Sequence, residues 1–120
     1  MGLDIYFVKR SQNTPQVEEG DDTEIIHQWR KHNRLMDAMA HIYGEPIENC
    51  QDYPVTTDVL DQLEARINDP DIQLGDNVDG FFWGREYDYD DDMKQDDLEA
   101  VAKAREVIAN GEYVFFHAWW

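Results

Sequence analysis

The sequence predicts an α+β domain in which helices cover one side of a small β-sheet. In two stretches, near the two ends of the 120-residue chain, side chains alternate between two faces with the period of a strand. Between them, apolar residues recur every three or four positions, as they do on one face of a helix. Together these periods predict about three strands and about three helices in the order β-α-α-β-α-β. We expect a single domain over residues 1–120.

The first predicted elements are a strand and a long helix. Residues 2–9 alternate Leu3, Ile5 and Phe7 with their neighbours, which favours a strand. Residues 11–22 are polar and are expected to form a loop. A helix is expected over residues 23–43, because Trp29 and Met36 lie on an apolar stripe of helical spacing that ends before Gly44 and Pro46.

The middle of the chain predicts a connection followed by a second helix. Residues 45–55 are expected to be rich in turns. Thr56 or Thr57 is expected to cap a helix that ends at the Asn68-Asp69-Pro70 run. The apolar stripe of this helix consists of Val59, Leu60, Leu63 and Ile67.

The last forty residues predict a strand, a helix and a strand. The first strand places Phe81, Trp83, Arg85 and Tyr87 on one face. A helix is expected to begin near Asp90 and to end at Asn110-Gly111, where the chain can turn left-handed. One face of this helix carries Met93, Leu98, Val101, Ala102, Arg105 and Ile108 at helical spacing. The final strand places Tyr113, Phe115, His117 and Trp119 on one face.

The composition restricts the partners that the protein can have. Twenty-seven acids against 10 bases give a formal charge of −17. Such a chain repels nucleic acids and anionic membranes and favours basic protein surfaces. It has no run of about 20 apolar residues, as a membrane span requires. The single cysteine, Cys50, and the lack of a signal-peptide pattern predict a cytoplasmic protein.

The densest acids form the first candidate site, an acidic face for a basic partner. Carboxylates on a rigid face can imitate a phosphate backbone and occupy a groove that normally binds nucleic acid. Two alternatives stay open, because an acidic surface also serves solubility or adaptation to high salt. Calcium-loop spacing also begins at Asp88, but Met93 replaces the glycine of that loop, so a helix N-terminus explains the acids better. The residues of the predicted face are Glu86, Asp88, Asp90, Asp91, Asp92, Asp96, Asp97 and Glu99.

A second candidate site is a pocket for a small molecule or nucleotide on the first predicted helix. Arginine side chains at helical spacing can clamp an anion, and a tryptophan beside them can stack on a base. Side chains from the strand that follows residue 80 would complete the pocket. The residues are Trp29, Arg30, Asn33 and Arg34, with Trp83 and Arg85.

Catalytic and metal-binding patterns are missing from the sequence. The four histidines lack the spacing of metal ligands, and neither a nucleophile elbow nor a phosphate loop is present. We therefore expect no enzyme activity, no metal and no cofactor. Most of the aromatic residues are expected in the core, and Trp119 and Trp120 would form a patch for a partner or a homodimer.

Three pieces of the chain together resemble a group of small phage and bacterial proteins. They are the opening MGLDIYFVKR, the WRKHNRL segment that begins at Trp29, and the GFFWGREYD run together with the terminal aromatic pair. Members of that group begin Met-Gly-Leu-Asp, carry a Trp-Arg-Lys-x-Asn helix and end in an aromatic tail. The resemblance implies a phage setting and no particular chemistry. With the acidity, it leads us to expect an inhibitor that binds a basic, nucleic-acid-binding host protein by imitating nucleic acid.

Overall fold

The computed structural model describes residues 3–11, 24–75 and 89–120 of the chain. In this part the chain forms three helices and a four-stranded antiparallel sheet, which confirms the α+β class. The elements are β1 (Asp4–Arg10), β2 (Glu24–Arg30), α1 (Asn33–Tyr43), β3 (Asp52–Val55), α2 (Thr57–Asn68), α3 (Asp91–Ala109) and β4 (Tyr113–Trp119). Their order, β-β-α-β-α-α-β, differs from the predicted order. The strand predicted through Phe81 and Tyr87 lies outside the described residues.

The sheet has the strand order β2-β1-β4-β3, so the two ends of the sequence lie side by side at its centre. Strand β1 pairs antiparallel with both β2 and β4, and β3 pairs antiparallel with β4. Opposite Phe116 of β4 lie Phe7 of β1 and Tyr53 of β3. The rings of Phe7 and Phe116 meet edge to face at 6.3 Å, a favourable aromatic geometry.

The core lies between one face of the sheet and the three helices. Alternate residues of each strand point to this face, as the pleat requires. The side chains of Leu3, Ile5 and Phe7 are fully buried there. The helices and the other strands complete the cluster with Leu35, Met39, Leu60, Leu63, Ile67, Val101, Ala104, Val114, Phe116 and Ala118. In the described part of the chain, no helix is long and apolar enough to cross a membrane.

The predicted helix over residues 23–43 is wrong in its first half, which forms strand β2. A bulge breaks the alternation of this strand. The pairing of Phe7 with His27 is followed directly by that of Val8 with Ile25. The extra residue, Ile26, disturbs the period of two, as a bulge does. Lys31, with a φ of 56°, then separates the strand from helix α1.

The predicted connection over residues 45–55 contains strand β3, which the sequence did not indicate. Pro54 lies inside β3, where it cannot donate a ladder hydrogen bond. Proline is tolerated on edge strands, and β3 is an edge of the sheet. The carbonyl of Pro54 accepts a hydrogen bond from Tyr43 Oη at 2.8 Å.

The two later helices begin where the sequence predicted. Thr56 caps α2, because its hydroxyl accepts the Val59 amide at 3.3 Å. Asp90 caps α3 in the same way, through the Met93 amide at 2.9 Å. Gly111, with a φ of 85°, follows the end of α3. The chain then enters β4, as expected.

The buried stripe of α3 differs from the predicted one. Leu98 and Ile108 are only half-buried, and Ala102 is exposed. The residues that face the core are Asp97, Ala100, Val101, Ala104 and Val107. A carboxylate therefore lies on the buried side of the helix.

The aromatic residues of β4 are divided between core and surface. Phe115 and Phe116 are buried, as predicted, whereas Tyr113 and Trp119 are 42% and 54% exposed. Trp120 is half-buried and packs against the core. Phe81, Phe82 and Trp83 lie outside the described residues.

Candidate functional site at the seam of helix α3 and strand β2

Asp97 is the centre of a buried polar cluster that joins α3 to β2. Its side chain is 3% exposed. Trp29 Nε1 donates to Asp97 Oδ1 at 2.8 Å, and Tyr89 Oη donates to Oδ2 at 2.5 Å. His32 Nε2 lies 3.1 and 2.9 Å from the two oxygens. Because a carboxylate accepts hydrogen bonds, Nε2 carries the hydrogen here.

This position corrects the predicted acidic face, which included Asp97 among the exposed carboxylates. An ionised carboxylate is buried only where donors or charges compensate its lost hydration. The sequence contained one signal of this position. Asp97 lies four residues after Met93 and four before Val101, on the apolar stripe of the helix. The sequence did not indicate that Trp29 and His32 are its partners, because residues 24–30 were expected to be helical.

A second contact along the same seam holds His27 of β2 between two side chains of α3. Asp96 Oδ2 lies 3.1 Å from His27 Nε2, and Lys103 Nζ lies 3.3 Å from Nδ1. A lysine ammonium group can only donate, so Nδ1 accepts and Nε2 carries the hydrogen that faces Asp96. The His27 ring also contacts the Trp29 ring, with centroids 4.6 Å apart. These contacts fix the orientation of α3 on the sheet.

Two clefts open along this seam, one on each side of His27. The first has a volume of about 340 Å³ and lies beside the first turns of α3. Its lining consists of Gln28, Trp29, Arg30, His32, Asp92, Met93, Asp96 and Asp97. The second has a volume of about 380 Å³ and lies beside the last turns of α3. Its lining consists of Lys9, Glu24, Ile25, Ile26, Lys103, Glu106, Val107, Asn110 and Glu112.

The other described members of the predicted acidic face do lie together at the surface of α3. The exposed residues are Asp90, Asp91, Asp92 and Glu99. The Asp96 side chain is 48% exposed and forms part of the rim of the first cleft. Glu86 and Asp88 lie outside the described residues. The capping residue Asp90 and the N-terminal half of α3 therefore present five carboxylates to solvent, beside a buried sixth.

The residues of the predicted small-molecule pocket do not share a helix face. Trp29 and Arg30 are neighbours on strand β2, so their side chains leave opposite faces of the sheet. Arg30 is 74% exposed and pairs with Asp4 at 3.3 Å. Asn33 is buried at the start of α1, and Arg34 donates to the Gly75 carbonyl at 3.0 Å. Trp83 and Arg85 lie outside the described residues.

A separate polar cluster lies on the face of the sheet that is turned away from the core. Asp52 Oδ2 lies 2.9 Å from Arg10 Nη2, and Asp52 Oδ1 lies 2.7 Å from His117 Nδ1. The Arg10 guanidinium lies 4.9 Å from the centre of the Phe115 ring, in cation–π geometry. Burial alone would raise the pKa of Asp52, but the hydrogen bonds from His117 and Arg10 hold this pKa below its ordinary value.

Charge is divided unevenly between the two layers of the fold. The three helices carry ten acids and five bases. The four strands carry three acids and three bases. No group of three His, Cys, Asp or Glu side chains in the described ranges is placed to hold a metal ion. The excess negative charge of the regular elements therefore belongs to the helical layer.

Comparison with protein-family models, with curated proteins and with solved structures finds no match to this chain. The geometry and charge of the described residues therefore carry the inference of function.

Proposed function

We propose that this chain is a phage-type inhibitor that binds a basic, nucleic-acid-binding host protein through its acidic helical layer. The observation that carries the proposal is the uneven charge of the two layers, ten acids against five bases on the helices and balanced charge on the strands. A one-sided negative surface attracts a cationic surface in one orientation. An even distribution would only keep the protein soluble.

The position of α3 supports recognition by a basic surface. Asp92, Asp96 and Glu99 follow one another at helical spacing, with successive rises of about 6 and about 4.5 Å along the helix axis. Asp97 and His27 fasten the helix to the sheet behind them. The carboxylates therefore need little ordering when the partner binds, which lowers the entropic cost of association.

The test is binding of basic proteins in competition with DNA. The immobilised chain is exposed to the heparin-binding fraction of a bacterial extract at low salt, and duplex DNA is then added. We expect retained proteins to be displaced both by the DNA and by rising salt, because both compete for the same basic surface. Retention that duplex DNA leaves unchanged would contradict the proposal.

Matched variants locate the binding surface. We expect Asp91→Asn, Asp92→Asn and Glu99→Gln together to weaken retention strongly. The control combines Glu45→Gln, Glu48→Gln and Asp71→Asn, which removes the same charge from exposed positions outside α3. Equal losses in the two variants would show that only total charge matters.

A further inference from the structure

Strand β2 forms one edge of the sheet, and the side that it turns away from β1 has no partner strand in the described part of the chain. An edge strand presents a row of backbone donors and acceptors to which another strand can add. The opposite edge, β3, is protected, because it has only four residues, contains Pro54 and has the Pro54 carbonyl bound by Tyr43. Strand β2 has seven residues and no proline, so it is the edge that is open to a further strand.

The side chains of β2 leave this edge accessible. The exposed residues are Glu24, Ile25, Gln28 and Arg30. Ile25 is 56% exposed although it is apolar. The residue that follows the strand, Lys31, is also exposed, and it has no ion pair among the described residues. The edge therefore begins with an acid, ends with bases and carries an uncovered apolar side chain.

The rows of the sheet place the two ends of this edge at equal distances from Gln28. Tyr6 of β1 lies opposite Gln28. Three rows along, Lys9 lies opposite Glu24. Glu24 is thus three rows from Gln28 although it is four residues away, because the bulged residue takes no row of its own. Lys31 lies three rows to the other side, and its amide still donates to the chain just before β1, at 2.8 Å.

A second copy that adds antiparallel, with a two-fold axis at Gln28, matches this pattern. Such an axis is perpendicular to the sheet, so each side chain meets a row of the other copy on its own face. Glu24 of each copy then lies opposite Lys31 of the other, which forms one acid–base pair at each end. Between them, Arg30 lies opposite Ile25 of the other copy and can cover it with its methylene stem. Parallel addition would instead place Glu24 beside Glu24.

We propose that a second copy of this chain docks along the free edge of β2, so that the two four-stranded sheets join into one antiparallel sheet. The two helical layers then lie on the same side of the joined sheet. This interface is separate from Trp119 and Trp120, the aromatic patch that the sequence predicts. The inference does not depend on the proposed function, because it uses a different surface.

The net charge of the chain opposes this association only in part. Two copies with a formal charge of −17 repel one another. At a physiological ionic strength of about 0.15 M, however, the Debye length is about 8 Å. Distant carboxylates of the two copies are then largely screened, whereas the pairs of Glu24 with Lys31 are in contact across neighbouring strands. Self-association is therefore measured at this ionic strength.

The test is charge reversal across the two-fold axis. Glu24→Lys and Lys31→Glu each place like charges opposite one another at both ends of the interface. We expect each variant to weaken self-association about tenfold, because two cross-strand pairs change from attraction to repulsion. An equimolar mixture of the two variants restores both acid–base pairs, so we expect a mixed dimer with the affinity of the original chain. Sedimentation equilibrium measures the affinities, and native mass spectrometry with one variant isotope-labelled identifies the mixed dimer.

Matched controls make the same charge changes away from β2. Glu45→Lys lies in an exposed connection, and Lys94→Glu lies on α3 at a half-exposed position. We expect both variants to dimerise as the original chain does. Equal weakening by the controls would overturn the inference, because total charge would then explain the effect. Far-UV circular dichroism of every variant shows that it is folded.

Other results would overturn the inference directly. One is an original chain that stays monomeric at about 1 mM, since a specific contact with a weaker dissociation constant contributes little. Another is a mixture of Glu24→Lys and Lys31→Glu that associates no better than either variant alone. A third is a dimer that survives both reversals but is lost in Trp119→Ala, since Trp119 is 54% exposed on β4 and would then be the interface.

Discussion

At the scale of single residues, the buried carboxylate of Asp97 connects three segments of the chain through Trp29, His32 and Tyr89. We predict that Asp97→Ala lowers the free energy of unfolding by about 3–5 kcal/mol, because it removes the acceptor of buried donors and leaves a cavity. Urea unfolding followed by far-UV circular dichroism measures the change.

Asp91→Ala is the matched control for this variant, since Asp91 lies on the same helix but is exposed. It should cost less than about 1 kcal/mol, the scale of a helix-dipole interaction at the surface. Equal effects of the two substitutions would mean that the Asp97 cluster does not stabilise the fold.

Asp52 leads to a prediction about pH. Hydrogen bonds from His117 and Arg10 keep its pKa below the ordinary value of 3.8 despite partial burial. A carboxylate with a lowered pKa in the folded state stabilises the protein above its unfolded pKa, and this contribution is lost as the pH falls through the folded pKa. The stabilisation by Asp52 is therefore present at neutral pH and disappears below about pH 3.8.

The measurement compares the original chain with Asp52→Asn, which keeps the shape of the side chain. We predict that the difference between their free energies of unfolding is largest near neutral pH and shrinks toward about pH 3. Taking the difference cancels the titration of the other acids. A difference that stays constant over this range would show that the contacts of Asp52 do not depend on its charge.

At the scale of helices and strands, the start of α2 shows which of two threonines caps the helix, a choice that the sequence did not decide. Thr56 accepts the Val59 amide, whereas Thr57 is the first helical residue. We predict that Thr56→Ala costs about 1 kcal/mol of stability and that Thr57→Ala costs a few tenths, because only the first removes a capping acceptor. Chemical unfolding of the two variants gives the comparison, and the reverse order would assign the cap to Thr57.

The elements that the sequence predicted well are those whose ends carry local signals. Helices α2 and α3 have polar caps, and α3 is followed by Gly111 with positive φ. Strands β1 and β4 near the two ends of the chain have strand-like patterns of apolar residues. In these cases local chemistry and the final packing agree.

Strand β2 was predicted as helix because its pattern depends on another strand. The bulge opposite Phe7 and Val8 places Ile25 and Ile26 out of alternation. His27 is polar but buried, so the apolar pattern does not mark the face of the strand that is turned to the core. Strand β3 was missed because only its place at the sheet edge makes Pro54 acceptable. Both features arise from long-range pairing, which a single sequence does not display.

The candidate site was predictable only in its exposed part. Acids crowded before and within a helix predict a charged surface, and Asp90, Asp91, Asp92 and Glu99 are exposed. The clefts and the Asp97 cluster form only because β2 and the residues after it pack beside α3. The hydrogen bonds of this contact join residues 65 or more positions apart in the sequence. Asp97 lies at helical spacing between Met93 and Val101, but it was predicted on the exposed face, and no local signal identified its donors.

At the scale of the whole molecule, the uneven charge has a consequence for stability that does not depend on any partner. The helical layer carries ten acids and five bases, and the full chain has a formal charge of −17. Like charges held close together repel one another more in the folded state than in the expanded unfolded chain. Salt screens this repulsion, since the Debye length falls to about 10 Å at 0.1 M and about 3 Å at 1 M.

We therefore predict that the urea midpoint of unfolding rises as NaCl increases from about 0.02 M to about 0.5 M. Asp91→Lys should flatten this rise, because it replaces an exposed acid in the dense part of α3 with a base and so removes part of the repulsion that salt screens. Glu45→Lys makes the same charge change in an exposed connection and should flatten it less. A midpoint that falls with salt would mean that favourable ion pairs, such as Arg105 with Asp61 at 2.9 Å, outweigh the repulsion within the layer. In that case the acids would be compensated inside the molecule, and the helical layer would offer little net charge for a basic partner to recognise.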